Sequence, residues 1–306
     1  MNQNNTNSFK IKDLPSLIVE TYKGWEAANP FRLSAVVAYY AVLSLPGLLI
    51  IIINIIGAVW GQEIIQGQLT KEISSALGQD AAASIEIIIS ETLNKDKNLI
   101  ATIIGIATLL FGATGVFYQL KLSLNKIWHV KPNPNAGFWK VLTDRARSFA
   151  FILVVGFLLL VSFFITAGIS ALNEYIRNML PDVLLYTAYI LDFTLSIAII
   201  TVLFALMFRY LPDVNIKWKT VWRGALITAV LFVVGKSLLG LYFGAVDPGS
   251  TYGAAGTIVL ILLWVSYSCL ILFFGAQFTY IYARKYGIAI EPSDVGLKDN
   301  SKEPNP

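Results

Sequence analysis

The chain has 306 residues, 56% of them hydrophobic and 14% charged, with a formal net charge of +4. A soluble domain carries roughly 25% charged residues, so this balance excludes an ordinary soluble globular protein. One histidine and one cysteine exclude a disulfide framework and a protein-built zinc site, which takes roughly three or four ligands.

The opening stretch, residues 1–9, is polar and rich in asparagine and is expected to be disordered. No short apolar core with a small-residue cleavage site follows it, so the first membrane span is expected to act as its own insertion signal. Residues 11–28 are amphipathic. Leu14, Leu17, Ile18, Tyr22 and Trp25 recur at helical spacing, and Lys12, Asp13, Ser16, Glu20 and Lys23 take the other face. This pattern predicts an N-terminal interfacial helix in the headgroup layer, with packing on the end of a helix bundle as the alternative.

Six apolar stretches follow, at about 33–60, 99–118, 148–172, 184–208, 222–246 and 254–283. Each has about 20 residues or more, the length an α-helix needs to cross a hydrocarbon core of roughly 30 Å. In lipid the backbone must satisfy its own hydrogen bonds, so such segments span as helices. The fold class is therefore an all-α integral membrane protein with six transmembrane helices, its membrane domain covering 10–287. The connection 61–98, with stripes Ile64, Ile65, Leu69, Ile73, Leu77 and Ile85, Ile88, Ile89, Leu93, predicts an external helical hairpin between the first two spans. Residues 288–306 are polar and proline-bearing and are expected to be a disordered cytoplasmic tail.

The basic residues alternate by side. Lys10, Lys12, Lys23, Arg32, then Lys121, Lys126, Lys131, Lys140, Arg145, Arg147, then Arg209, Lys217, Lys219, Arg223, and finally Arg284, Lys285, Lys298 and Lys302 fall on one side. Only Lys71, Lys95, Lys97 and Arg177 fall on the other. This positive-inside bias leads to the expectation that both termini face the cytoplasm. It also accounts for the basic charge without nucleic acid.

A charge at bilayer depth costs at least ~2.5 kcal/mol and marks a functional hypothesis. Asp192 in the fourth span and Lys236 in the fifth lie at depths of roughly 12 and 15 Å from the same face. A mutual ion pair would offset part of their burial cost. The two would then line a polar cavity open to the outside, or serve as a structural staple, or leave Lys236 to snorkel. Asn54, Tyr252 and Gln277 are further pathway candidates, with Tyr39, Tyr40, Ser44, Gln119 and Asn125 beside them. Pro46 predicts a kink in the first span. The Gly240/Gly244 spacing matches a helix-pairing motif and leaves a homodimer open. His129, the sole imidazole, is expected to be structural or to touch headgroups. No phosphate-binding loop and no Ser/His/Asp set is present, so neither an enzyme nor an ATP-driven pump is expected, and no cofactor.

Four blocks, Ala35–Pro46 (AVVAYYAVLSLP), Gln119–Trp128 (QLKLSLNKIW), Arg209–Asp213 (RYLPD) and Tyr252–Phe278 (YGAAGTIVLILLWVSYSCLILFFGAQF), resemble the YihY/BrkB family of bacterial inner-membrane proteins. The resemblance runs over roughly 22–287. It implies a six-helix membrane protein without an established biochemical activity. The family was once labelled ribonuclease BN, a label at odds with a chain holding one histidine and one cysteine. Lys236 and Tyr252 stand where the family pattern places such residues. Gln277 departs from a glutamate that many relatives carry after Gly-Ala, and Gly47 replaces a second proline. The resulting expectation is a transporter or exporter of a lipid-like or small polar solute, with the bilayer and an unidentified solute as its partners. A non-transporting scaffold for envelope proteins is the alternative. A lipid-modifying enzyme would need clustered acids or histidines at one interface, and none is convincing.

Overall fold

The computed structural model describes residues 11–44, 112, 115–133, 139, 143, 182–246, 256–286, 290–293 and 296–299, with scattered helical positions between 66 and 87. The chain divides into two compact units, Met1–Ala28 with Lys121–Leu231 and Leu272–Pro306, and Asn29–Leu120 with Phe232–Ile271. Both unit boundaries after residue 200 fall inside long helices.

In the first unit, a 3-10 turn at Ile11–Asp13 leads into helix α1, Leu14–Ala27. Pro15 stands in its first turn, where a missing N–H costs nothing. Ser16 Oγ donates to the Asp13 carbonyl at 2.9 Å. The amphipathic reading is right about a helix and half right about its face. Leu17, Thr21 and Ala28 are buried, while Ile18 and Tyr22 of the expected apolar stripe are exposed. Leu17 packs among Phe278, Ile281, Tyr282 and Tyr286, so this helix is docked on its own bundle while part of its apolar surface stays outside. Past α1, the backbone turns at Asn29 with φ 57°, a left-handed stop that asparagine tolerates. Pro30 then opens α2, Pro30–Ser44, in the second unit. There the absence of a side chain at Gly112 admits Ser44, and at Gly115 admits the Tyr40 ring.

Helix α3 covers residues 115–127. It continues beyond the expected span end at 118 and stops at His129, whose φ is 54°. Helices α4 (Asp182–Tyr210), α5 (Trp218–Val246) and α6 (Gly256–Lys285) match the fourth, fifth and sixth expected spans to within a few residues. All three are long and apolar enough to cross a membrane. At 29, 29 and 30 residues they run about 43–45 Å, longer than the roughly 30 Å hydrocarbon core of a bilayer. The third span, most of the first two, the hairpin 61–98 and Pro46 lie outside the described residues.

Within the first unit α5 and α6 run antiparallel and interlock through glycine and threonine. Gly224 lies against the Thr279 hydroxyl, and Gly275 against that of Thr228. Thr228 Oγ1 donates to the Gly224 carbonyl at 2.7 Å and Thr279 Oγ1 to that of Gly275 at 2.8 Å. Each hydroxyl is thus satisfied on its own helix while its bulk fills the facing notch, the close approach small residues permit in membrane bundles. In the second unit, Phe243 and Leu260 form a cluster with Leu239 and Trp264, and Gly235 admits Tyr267.

The fold is all-α as expected, with two short antiparallel strand pairs added to the helices. Strand β1 (Val130–Pro132) pairs with β4 (Gly296–Lys298), and β2 (Val214–Asn215) pairs with β3 (Glu291–Pro292). The described part of the expected disordered tail is therefore folded back on the turns that follow α3 and α4. Composition could not reveal this, because the stabilising bonds belong to the main chain.

Candidate functional site

The first unit buries a charged cluster built from two of the sequence blocks. Lys121 and Asn125 stand one helical turn apart on α3, so both side chains leave the same face. Asp213 closes the Arg209–Asp213 block just after α4. The Lys121 ammonium lies 2.9 Å from Asp213 Oδ1. Asn125 Nδ2 donates to Asp213 Oδ2 at 2.8 Å, and Asn125 Oδ1 accepts the Asp213 N–H at 2.8 Å. The exposures of Lys121, Asn125 and Asp213 are 7%, 1% and 4%. A carboxylate this deep is tolerable because a cation and an amide satisfy it at once.

The folded tail closes over this cluster. Ser293 N–H donates to the Asp213 carbonyl at 2.9 Å, and Asp299 N–H to that of His129 at 2.8 Å. A Cβ at Gly296 would lie 2.6 Å from the Asp213 carbonyl oxygen and 2.9 Å from Val130 Cγ1, so only glycine lets the strand approach. Lys131, exposed, and Asp299, half-buried, add an ion pair at 2.8 Å. Around the cluster, Trp128 Nε1 donates to the Ala276 carbonyl at 2.8 Å, and its ring meets Phe208 edge-on at 6.0 Å. His129 rests on Tyr280 with ring centroids 5.1 Å apart.

The expected pathway residues fare differently. Gln277 is buried in the first unit, and a Cβ at Gly24 of α1 would collide with its amide. Lys236 is exposed on α5 in the second unit. The Asp192 side chain, Asn54 and Tyr252 lie outside the described residues, so an Asp192–Lys236 pair does too. Of the secondary candidates, Asn125 is the one at the centre of a described cluster. Sequence reasoning passed over its partners, counting Lys121 as a topology charge and Asp213 only as part of a block. One signal was available: Asp213 is the sole acid between Arg209 and Arg223.

Long apolar helices with a desolvated ion pair define an integral membrane protein. The family profile described as Virulence factor BrkB matches residues 21–295, and the chain belongs to that family. It is 26% identical to a UPF0761 membrane protein of Verminephrobacter eiseniae, over 74% of this chain and 52% of the relative. It is 24% identical to one of Haemophilus influenzae over 83% and 91%, and 29% identical to one of Pseudomonas aeruginosa over 64% and 45%. The chain thus spans about half the length of the Verminephrobacter relative and nearly all of the Haemophilus one. No solved structure matches it.

Proposed function

We propose that the protein is a transporter or exporter of a lipid-like or small polar solute, without a catalytic step of its own, in a bacterial inner membrane with both termini in the cytoplasm. The observation that carries this reading is the buried Lys121–Asn125–Asp213 cluster under the folded tail. A charge pair held away from water is an expensive way to tie helices together, since apolar residues of equal volume serve as well or better. Its use is easier to understand as a latch that opens, with the tail as its cover. Asp192, Lys236, Tyr252, Asn54 and Gln277 remain the proposed pathway residues.

The test uses proteoliposomes containing the full chain, or its Lys121→Met and Asp213→Leu variants singly and together. One arm follows transbilayer movement of a fluorescent phosphatidylglycerol by dithionite quenching. The other follows uptake of a panel of labelled small zwitterions and cations. The reading expects flux in at least one arm, altered severalfold by each single variant when correctly folded protein is matched. Absence of flux in both arms, together with one stoichiometric envelope partner retained through the basic loops, would establish the scaffold instead.

A further inference from the structure

The turn into α5 and its amino end carry an exposed aromatic and basic edge. Tyr210, Trp218 and Trp222 are each more than a third exposed. They form a continuous ladder, with Tyr210 and Trp218 centroids 6.1 Å apart and Trp218 and Trp222 centroids 6.3 Å apart. Four cations surround the ladder, and the structure separates them into two kinds. Arg209 is occupied, donating to the Ile216 carbonyl at 2.5 Å to hold the turn. Arg223 is occupied too, bonded to the Tyr282 hydroxyl and lying 5.2 Å over that ring. Lys217 and Lys219 flank Trp218 in sequence and are exposed, and their ammonium groups have no partner among the described residues. The one acid between Arg209 and Arg223, Asp213, is buried against Lys121.

We infer that Lys217 and Lys219, with the Trp218/Trp222 ladder, form a binding site for the headgroup of an anionic phospholipid. Indole rings settle at the headgroup level of a bilayer, and juxtamembrane lysines attract acidic lipid. Charge complementarity selects the occupant: two exposed ammonium groups against one exposed acid nearby, Glu291 opposite Asn215, and rings that take up the glycerol region beside the phosphate. This inference does not rest on the transport reading.

The full-length protein in detergent is offered equimolar phosphatidylglycerol and phosphatidylcholine, and retained lipids are counted by native mass spectrometry. Wild type is expected to prefer phosphatidylglycerol. Lys217→Gln/Lys219→Gln should lower that preference about tenfold, while Lys12→Gln/Lys23→Gln, equal in charge removed, should leave it intact. Trp218→Leu/Trp222→Leu should weaken retention of both lipids, and excess inorganic phosphate should displace neither. Equal loss in the two lysine pairs, no loss in either, unchanged retention in the tryptophan pair, or displacement by free phosphate would each overturn the assignment.

Discussion

Asn125 and Asp213 clasp each other twice, the amide nitrogen giving to the carboxylate and the amide oxygen taking the Asp213 backbone N–H, both at 2.8 Å. A leucine at 125 fits the volume but strands a buried carboxylate oxygen and a buried N–H. Asn125→Leu should cost about 3 kcal/mol. Asn125→Asp should be worse, since it removes the donor and sets a second carboxylate beside the first. Thermal melting in detergent, followed by size-exclusion fluorescence, ranks the two; a wild-type melt for either would remove the clasp from the account.

The Lys121–Asp213 pair predicts non-additivity. Each of Lys121→Met and Asp213→Leu leaves one buried charge without its counter-ion, a loss of about 3–5 kcal/mol. The double variant buries none and should recover at least half of that loss in a double-mutant cycle. Additive losses would mean that the two charges do not act as a pair in the folded protein.

The helix seam of α5 and α6 allows a reciprocal rescue. Gly224→Ala and Gly275→Ala each drive a methyl into a threonine hydroxyl across the seam, for about 1–3 kcal/mol of overpacking. Shortening the facing side chain, Thr279→Ala or Thr228→Ala respectively, should restore most of the melting temperature. Gly240→Ala is the control: nothing stands within 4 Å of a Cβ there, and it should be neutral.

How far the sequence carried depended on the kind of interaction. The boundaries of α4, α5 and α6 follow from long apolar runs, because burial in lipid is set by composition within each segment. The apolar run of the expected second span stops at 118 because polar Lys121 and Asn125 follow, while helix α3 runs on to 127. The helix continues because Asp213, 88 residues beyond Asn125, satisfies both, and no local pattern contains that pairing. For the same reason the polar residues Glu291–Pro292 and Gly296–Lys298 resemble a solvated tail, although their main chain has partners after α4 and α3. Gln277 was visible as a costly amide, but its packing against Gly24 of α1 was not.

The tail closure predicts a change in access. Val130 is buried, with Gly296 against it. In a Cys269→Ser background, Val130→Cys should react slowly with a bulky maleimide. Removing residues 288–306 should speed that reaction at least about tenfold, as expected when a covering segment worth about 1.4 kcal/mol is lost. Equal labelling rates would show that the strands do not shield this position.

Thr220, at 1% exposure, has a hydroxyl without a hydrogen-bond partner among the described residues. Valine keeps its shape and discards the stranded oxygen. Thr220→Val should raise stability by about 1 kcal/mol, read as a higher melting temperature; a lower one would point to an unseen acceptor.

Lys126 reaches from α3 to the Ala28 carbonyl at 2.6 Å, and Lys285 to Ser16 Oγ at 2.5 Å. Those ammonium groups sit in the basic tally behind the expected orientation, yet they also act as rivets within the first unit. If the expected orientation holds, instructions for insertion and for assembly are written in shared atoms. An engineer who strips such lysines to mount the molecule upside down would recover a loosened one, not the same machine facing the other way.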